Sequence, residues 1–214
     1  MIALEQKHER ERRMLNWDSI IETEWDHALS LYNTYLADDE KASRDARVSI
    51  MNAYAISCLS KAEFYDYLHD VFFVWKYTAK NRLATTIKSF EQMKLDDLEK
   101  ARSELINPSL SDTALLDAAL KIRGLGSAGA TALLSTLYPS RFATIDQFVI
   151  INLQHASSLA LNKIIHSINP QSINKKQALY VLALIQQKAR DLNALFGKMS
   201  WTPRAIDKAV WADR

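Results

Sequence analysis

The chain holds only four glycines in 214 residues, and three of them, Gly124, Gly126 and Gly129, fall inside one stretch, GLGSAGATALLSTLYPSRFATID. Its four prolines add little further punctuation. Glycine and proline are the residues that most readily end regular structure and turn the backbone. A sequence this poor in them must run in regular segments joined by short connections, and the spacing of its apolar residues decides which kind.

That spacing is helical almost throughout. In WDSIIETEWDHALSLYNTYLADD, residues Ile20, Ile21, Trp25, Ala28, Leu29, Tyr32 and Leu36 recur near helical intervals. A second long pattern, ARVSIMNAYAISCLS, ends near Ser60, and KAEFYDYLHDVFFVWKYT carries Phe64, Tyr65, Leu68, Phe72 and Trp75 on one face. LATTIKSFEQM and LDDLEKARSEL read as shorter helices stopped by Asn107-Pro108. Ser111 or Asp112 caps TALLDAALKI, which the C-cap rule ends at Gly124. ATALLSTL follows, closed by Pro139, and IDQFVIINL begins at Asp146, apolar enough to be buried. Asn169-Pro170 separates LNKIIHSI from the long NKKQALYVLALIQQKARDLNALF, which ends at Gly197. Thr202 as cap and Pro203 at the first helical position open PRAIDKAVW. The expected class is all-α.

Composition excludes several functions. An apolar fraction of 48% with 24% charged residues is that of a globular protein. No apolar run reaches the roughly 18 residues that span a bilayer, and the start, MIALEQKHERERRML, reverses the order of a secretory signal. A cytoplasmic, monomeric protein with no membrane partner is expected. Cys58 is the single cysteine, which excludes an internal disulfide and any cysteine-only zinc or iron–sulfur site. Its neighbours, AYAISCLS, suggest a buried core thiol. His8, His27, His69, His155 and His166 are scattered without metal-ligand spacing. No cofactor and no metal held by side chains is expected.

Charge is distributed unevenly. From Ala118 to Arg190 there are eight bases and one acid, Asp146, a net charge of +7, against −5 for the remainder. Scattered bases usually mean a solvated surface, but a span so nearly free of acid reads as a phosphate-facing half, because clustered Lys and Arg attract nucleic acid. Within this span KIRGLGSAGATALL reads as helix, tight turn and helix. Gly124 and Gly126 permit left-handed backbone and close approach, and Ser127 is placed to cap the second helix. The first amides of that helix would then face outward at the positive end of its dipole, flanked by Lys121 and Arg123, a ready phosphate site.

Ile122 to Ala130, with Gly124-Leu125-Gly126-Ser127-Ala128-Gly129 at its centre, resembles the hairpin of the helix–hairpin–helix DNA glycosylases. Asp146 lies 22 residues after Gly124, the interval at which that family places an Asp opening the next helix, and Phe142-Ala143-Thr144-Ile145 is similar to the apolar approach to it. The resemblance is confined to this stretch, and the helical remainder is compatible with it. It implies a two-lobed fold in one unit spanning 1–214. A six-helix lobe would occupy about 61–155, and the N- and C-terminal helices, about 1–60 and 156–214, would form a second lobe.

The resemblance also implies double-stranded DNA as partner, held at Lys121, Arg123 and Gly124 to Gly129, with Asp146 as the catalytic residue. Breaking an N-glycosidic bond builds positive charge on the sugar, and a nearby carboxylate stabilises that charge and orients the attacking water. The plainer role for Asp146 is a helix N-cap worth about 1 kcal/mol, and the two roles are compatible. Family members that also cleave the backbone carry a lysine nucleophile two residues after the second glycine. Ala128 stands there, so Schiff-base chemistry is not expected from the hairpin. A monofunctional glycosylase acting on a damaged or modified base, in repair or in defence against foreign DNA, is the reading that follows.

In this family the terminal helices help to form the base pocket, which makes Trp25, Trp201, Asp207 and Trp211 candidates for stacking and for hydrogen bonds to a base edge. The acid-free stretch from Val71 to Phe90 holds Lys76, Lys80, Arg82 and Lys88, and a loop near Thr78–Asn81 is a candidate wedge for the gap left by a flipped base. An amphipathic helix pair with solvated lysines is the plainer explanation of that stretch. Two other functional classes remain open: a non-catalytic DNA-binding module using the same hairpin, and a helical protein-interaction domain.

Overall fold

Helices carry all the regular structure in the computed structural model, which describes residues 15–156 and 163–212, and no strand occurs among them. The charged N-terminal stretch and the start of LNKIIHSI lie outside the described residues. The α-helices in chain order are α1 (Glu22–Tyr35), α2 (Asp39–Ser49), α3 (Ala53–Ser57), α4 (Lys61–Asp66), α5 (Phe73–Lys76) and α6 (Lys80–Phe90). They continue with α7 (Leu95–Leu105), α8 (Asp112–Leu120), α9 (Ser127–Leu137), α10 (Gln147–His155), α11 (Lys175–Phe196) and α12 (Pro203–Ala212). A six-residue π-helical stretch, Tyr67–Phe72, joins α4 to α5.

Caps explain where several patterns break. ARVSIMNAYAISCLS is not one helix, because the Asn52 side chain accepts the Ala55 N–H at 2.9 Å and restarts the chain as α3. The five-residue α3 leaves Cys58 exposed at its end, so the expected buried thiol is a surface one. Ser60 and Glu63 form a capping box at α4, and Asn174 and Gln177 another at α11. Ser111, not Asp112, caps α8. Thr202 accepts the Ala205 N–H at 3.1 Å, and Gly197 closes α11 in left-handed conformation.

The three clustered glycines have three separate uses. Gly124 lies beyond the end of α8, which stops at Leu120, and is not its cap. Its φ of +89° demands glycine, and a Cβ there would lie 2.8 Å from the Thr86 carbonyl oxygen, so α6 and the turn touch backbone to backbone. Gly126 has φ −93°, open space around it, and is itself the N-cap of α9 without any side-chain hydrogen bond. The left-handed angle expected of Gly126 is therefore absent, and Ser127 is the buried first helical residue rather than the cap. Gly129 lets α9 sit against Tyr77, whose hydroxyl would lie 2.3 Å from an added Cβ.

Helix α9 forms the axis of the fold. Every residue from Gly129 to Leu137 is buried, and the helix packs on α8 and α11. Helix α12 packs along α1 and is flanked by α10 and α11. Trp25 is wholly buried in that second region, edge-on to Trp17 and Trp201 with ring centroids 6.0 and 5.9 Å away. The Lys188 amine lies over Trp17 and Trp25, and burial lowers its pKa.

The glycines separate cleanly under substitution. Gly124→Ala and Gly129→Ala should each cost about 1–3 kcal/mol in urea unfolding, one through a strained φ and both through close contact, whereas Gly126→Ala should cost less than about 1 kcal/mol. Equal losses at all three would contradict this account of the turn.

Candidate functional site

The segment between α9 and α10 fixes the position of Asp146. Phe142, Ala143 and Ile145 are fully buried and Thr144 nearly so, yet the segment is neither helix nor strand, and backbone satisfies the Phe142 N–H, through the Tyr138 carbonyl at 2.8 Å, but not those of Thr144 and Ile145. Side chains do so instead. The Ile145 N–H donates to Thr131 Oγ1 at 3.0 Å, and the Thr144 N–H donates to the Asp207 carboxylate. Thr144 Oγ1 also pairs with Ser135 Oγ at 2.9 Å and accepts from Arg204 at 3.0 Å. Thus α9, through Thr131 and Ser135, and α12, through Arg204 and Asp207, hold the backbone leading to Asp146.

Asp146 then caps α10. Its Oδ1 accepts the Phe148 and Val149 N–H groups at 3.1 and 3.3 Å, as the capping role requires. Its Oδ2 accepts from Lys76 Nζ at 2.9 Å, across 70 residues of sequence. The two side chains retain 10% and 13% of their exposure, for Lys76 and Asp146, so the pair is largely withdrawn from water. That remaining exposure opens onto a cavity of about 200 Å³ lined by aromatic rings from distant helices: Tyr32 and Tyr35 of α1, Trp75 of α5, Phe148 of α10 and Trp211 of α12. Thr78 of the proposed wedge loop lies on the same lining, and Thr78 to Asn81 are all exposed.

Behind the rings a buried polar network sets their orientation. Asp45 accepts from the Tyr32 hydroxyl at 2.9 Å and from Trp75 Nε1 at 3.1 Å, with Lys208 3.8 Å away. Burial raises the Tyr32 pKa and lowers that of Lys208. Arg204 lies over the Trp75 ring and donates to Asp207 at 2.6 Å. Burial opposes the Arg204 charge, but Asp207, Tyr32 and Asp45 outweigh it and its pKa is raised. Burial pushes Asp207 up to about 6 despite the opposing pull of Arg204 and the Thr144 amide.

The expected pocket residues divide two and two. Asp207 and Trp211 line the cavity, whereas Trp25 and Trp201 do not, because their rings complete the core between α1, α11 and α12. Asp207 is itself engaged on both oxygens and holds the protein backbone rather than offering a free edge to a ligand. Sequence reasoning missed Tyr32, Tyr35, Phe148, Arg204 and above all Lys76 as cavity residues. Only the acid-free run from Val71 to Phe90 drew notice to Lys76, and nothing local linked it to Asp146.

The hairpin and the pair meet through neighbouring residues: Lys76 reaches Asp146 while Tyr77 packs on Gly129. Gly126 contributes no side chain over the first turn of α9, and Lys121 and Arg123 are exposed beside it. The charge excess of this half is partly cancelled in space. Lys121, Arg141 and Lys175 each pair at 2.6 Å with an acid lying N-terminal to the basic span, Glu104, Asp112 and Asp117. Arg123 donates to Gln92 at 3.0 Å.

Among the described residues no group of three or more His, Cys, Asp or Glu is placed to hold a metal ion, and no helix is long and apolar enough to cross a membrane. No family model, curated protein or solved structure matches the chain.

The Asp207 carboxyl supplies a pH test. Its folded-state pKa, about 6, exceeds the ordinary 3.8, so its contribution to stability is full below the ordinary value and is lost as pH rises through about 6. Asn does not titrate. The unfolding free energy of wild type minus that of Asp207→Asn should therefore be more favourable to wild type at pH 4 than at pH 7. The opposite slope would show that Arg204 dominates the site.

Proposed function

We propose that this chain is a DNA N-glycosylase that hydrolyses the bond between deoxyribose and a flipped-out damaged or modified base, leaving an abasic site. The observation that carries the reading is the placement of Asp146. Its carboxylate opens on an aromatic-lined cavity, at the end of a rigid segment held by the same helix that begins at the hairpin. The rings offer the faces on which an extrahelical base stacks. The carboxylate lies where charge builds on the sugar as the base departs, and it orients the water that attacks C1′. The hairpin with Lys121 and Arg123 holds the DNA backbone near the cavity. The two-lobed arrangement, with the cavity where the terminal helices meet the hairpin half, belongs to this same reading.

One observation favours a second reading. Both Asp146 oxygens are engaged, one by the α10 amides and one by Lys76, as they would be in a non-catalytic DNA-binding module. The two readings diverge in a single assay. Wild type incubated with duplexes carrying a panel of oxidised, alkylated and enzymatically modified bases should release one of those bases, read by mass spectrometry. Asp146→Asn, which keeps a capping oxygen, should bind the same duplex and release base at least about 100-fold more slowly. Undiminished release by Asp146→Asn would refute the assignment of Asp146, and DNA binding without release from any duplex would establish the binding module.

A further inference from the structure

The cavity holds more cations than its own acids neutralise. Lys41, Arg44, Lys76 and Arg204 line it, against the two carboxylates of Asp146 and Asp207. Lys76 pairs with Asp146, and Arg204 with Asp207. Arg44 turns to Glu40 on its own helix, and behind the rings Lys208 faces Asp45. Lys41 is left over. Among the described residues no carboxylate pairs with it, and its amine lies 4.6 Å from the centre of the Tyr35 ring.

We propose that the base taken into this cavity is an anionic one, carrying a ring carboxylate that pairs with Lys41. This inference rests on the glycosylase reading and narrows it to a class of substrate.

The rings argue in the same direction. An aromatic cavity ordinarily attracts cations, through the negative faces of its rings. Here three rings already carry a cation over one face: Lys41 over Tyr35, Lys208 over Tyr32 at 4.6 Å and Arg204 over Trp75 at 5.7 Å. A positively charged N-alkylated base would meet like charge at each of them. It would also find no carboxylate to receive it. Asp146 is engaged by two amides and Lys76, and Asp207 by the Thr144 amide and Arg204.

A carboxylated base meets the reverse arrangement. Entering the cavity strips water from its charge, and an ammonium without a partner offsets that loss through a charge-assisted hydrogen bond. The same negative charge has a second source on DNA, the backbone phosphate, and Lys41 is exposed enough to meet either. Its place on the cavity lining, with the amine over Tyr35, favours the base.

The test compares duplexes of one sequence carrying a single 5-carboxycytosine, 5-hydroxymethylcytosine or 7-methylguanine, with binding read by fluorescence anisotropy and base release by mass spectrometry. Wild type should bind the carboxylated duplex at least about tenfold more tightly than the hydroxymethylated one and release its base, with no preference for 7-methylguanine over unmodified duplex. In Lys41→Gln the carboxyl-to-hydroxymethyl affinity ratio should fall to within about twofold of unity, and Lys41→Arg should keep most of it. A ratio that survives in Lys41→Gln while both affinities drop would place Lys41 on a backbone phosphate and overturn the proposal. So would a wild type that binds the two cytosine derivatives alike or prefers 7-methylguanine. Those results leave the glycosylase reading in place provided some base is released, whereas binding without release from any duplex overturns that reading as well.

Discussion

The five residues from Phe142 to Asp146 are the constraint on which the site depends. They cross the interior outside any helix or strand, where an unmet amide costs on the order of 1–3 kcal/mol, and side chains from two other helices meet the need at Thr144 and Ile145. Thr131 takes the Ile145 N–H and Asp207 takes the Thr144 N–H, while Ser135 and Arg204 secure the Thr144 hydroxyl. Because these partners come from α9 and α12, the segment joins the hairpin half of the fold to the terminal helices. Asp146 emerges at its end with no freedom to wander, and α10 fixes one of its oxygens through two amides.

The remaining oxygen accepts from Lys76. An ion pair withdrawn from water to the extent of Lys76 and Asp146 gains from the lower local dielectric but loses solvation on both partners, so it contributes little net stability. The aromatic wall is tied to the same segment, since Asp45 orients Tyr32 and Trp75, and Arg204 lies over Trp75 while anchoring the Asp146 segment. Cavity shape and carboxylate position therefore share side chains, and a change at Arg204 or Asp45 would disturb both.

The helical class was legible from glycine and proline scarcity together with periodicity, because both act through local backbone physics. The cap at Asp146, the start at Thr202-Pro203 and the helix end at Gly197 were legible for the same reason. Breaks within apparently continuous patterns were not. Asn52 restarts a helix, and the π-helical stretch at Tyr67–Phe72 shifts the phase of a face that looked uninterrupted in sequence. Charge along the chain misled in a different way, since Glu104, Asp112 and Asp117 fold back onto bases of the Ala118–Arg190 span. Trp25 and Trp201 could not be told from Trp211 by sequence, because only packing decides whether an indole closes the core or lines a cavity. Lys76 was hidden most completely, being joined to Asp146 only by the fold.

The most direct measurement is the structure of the protein on a duplex carrying a stable abasic-site analogue. The account predicts an extrahelical sugar in the cavity beside Asp146, with the neighbouring phosphate at the first turn of α9. A duplex bound with every nucleotide stacked, or a cavity facing away from the DNA, would contradict it.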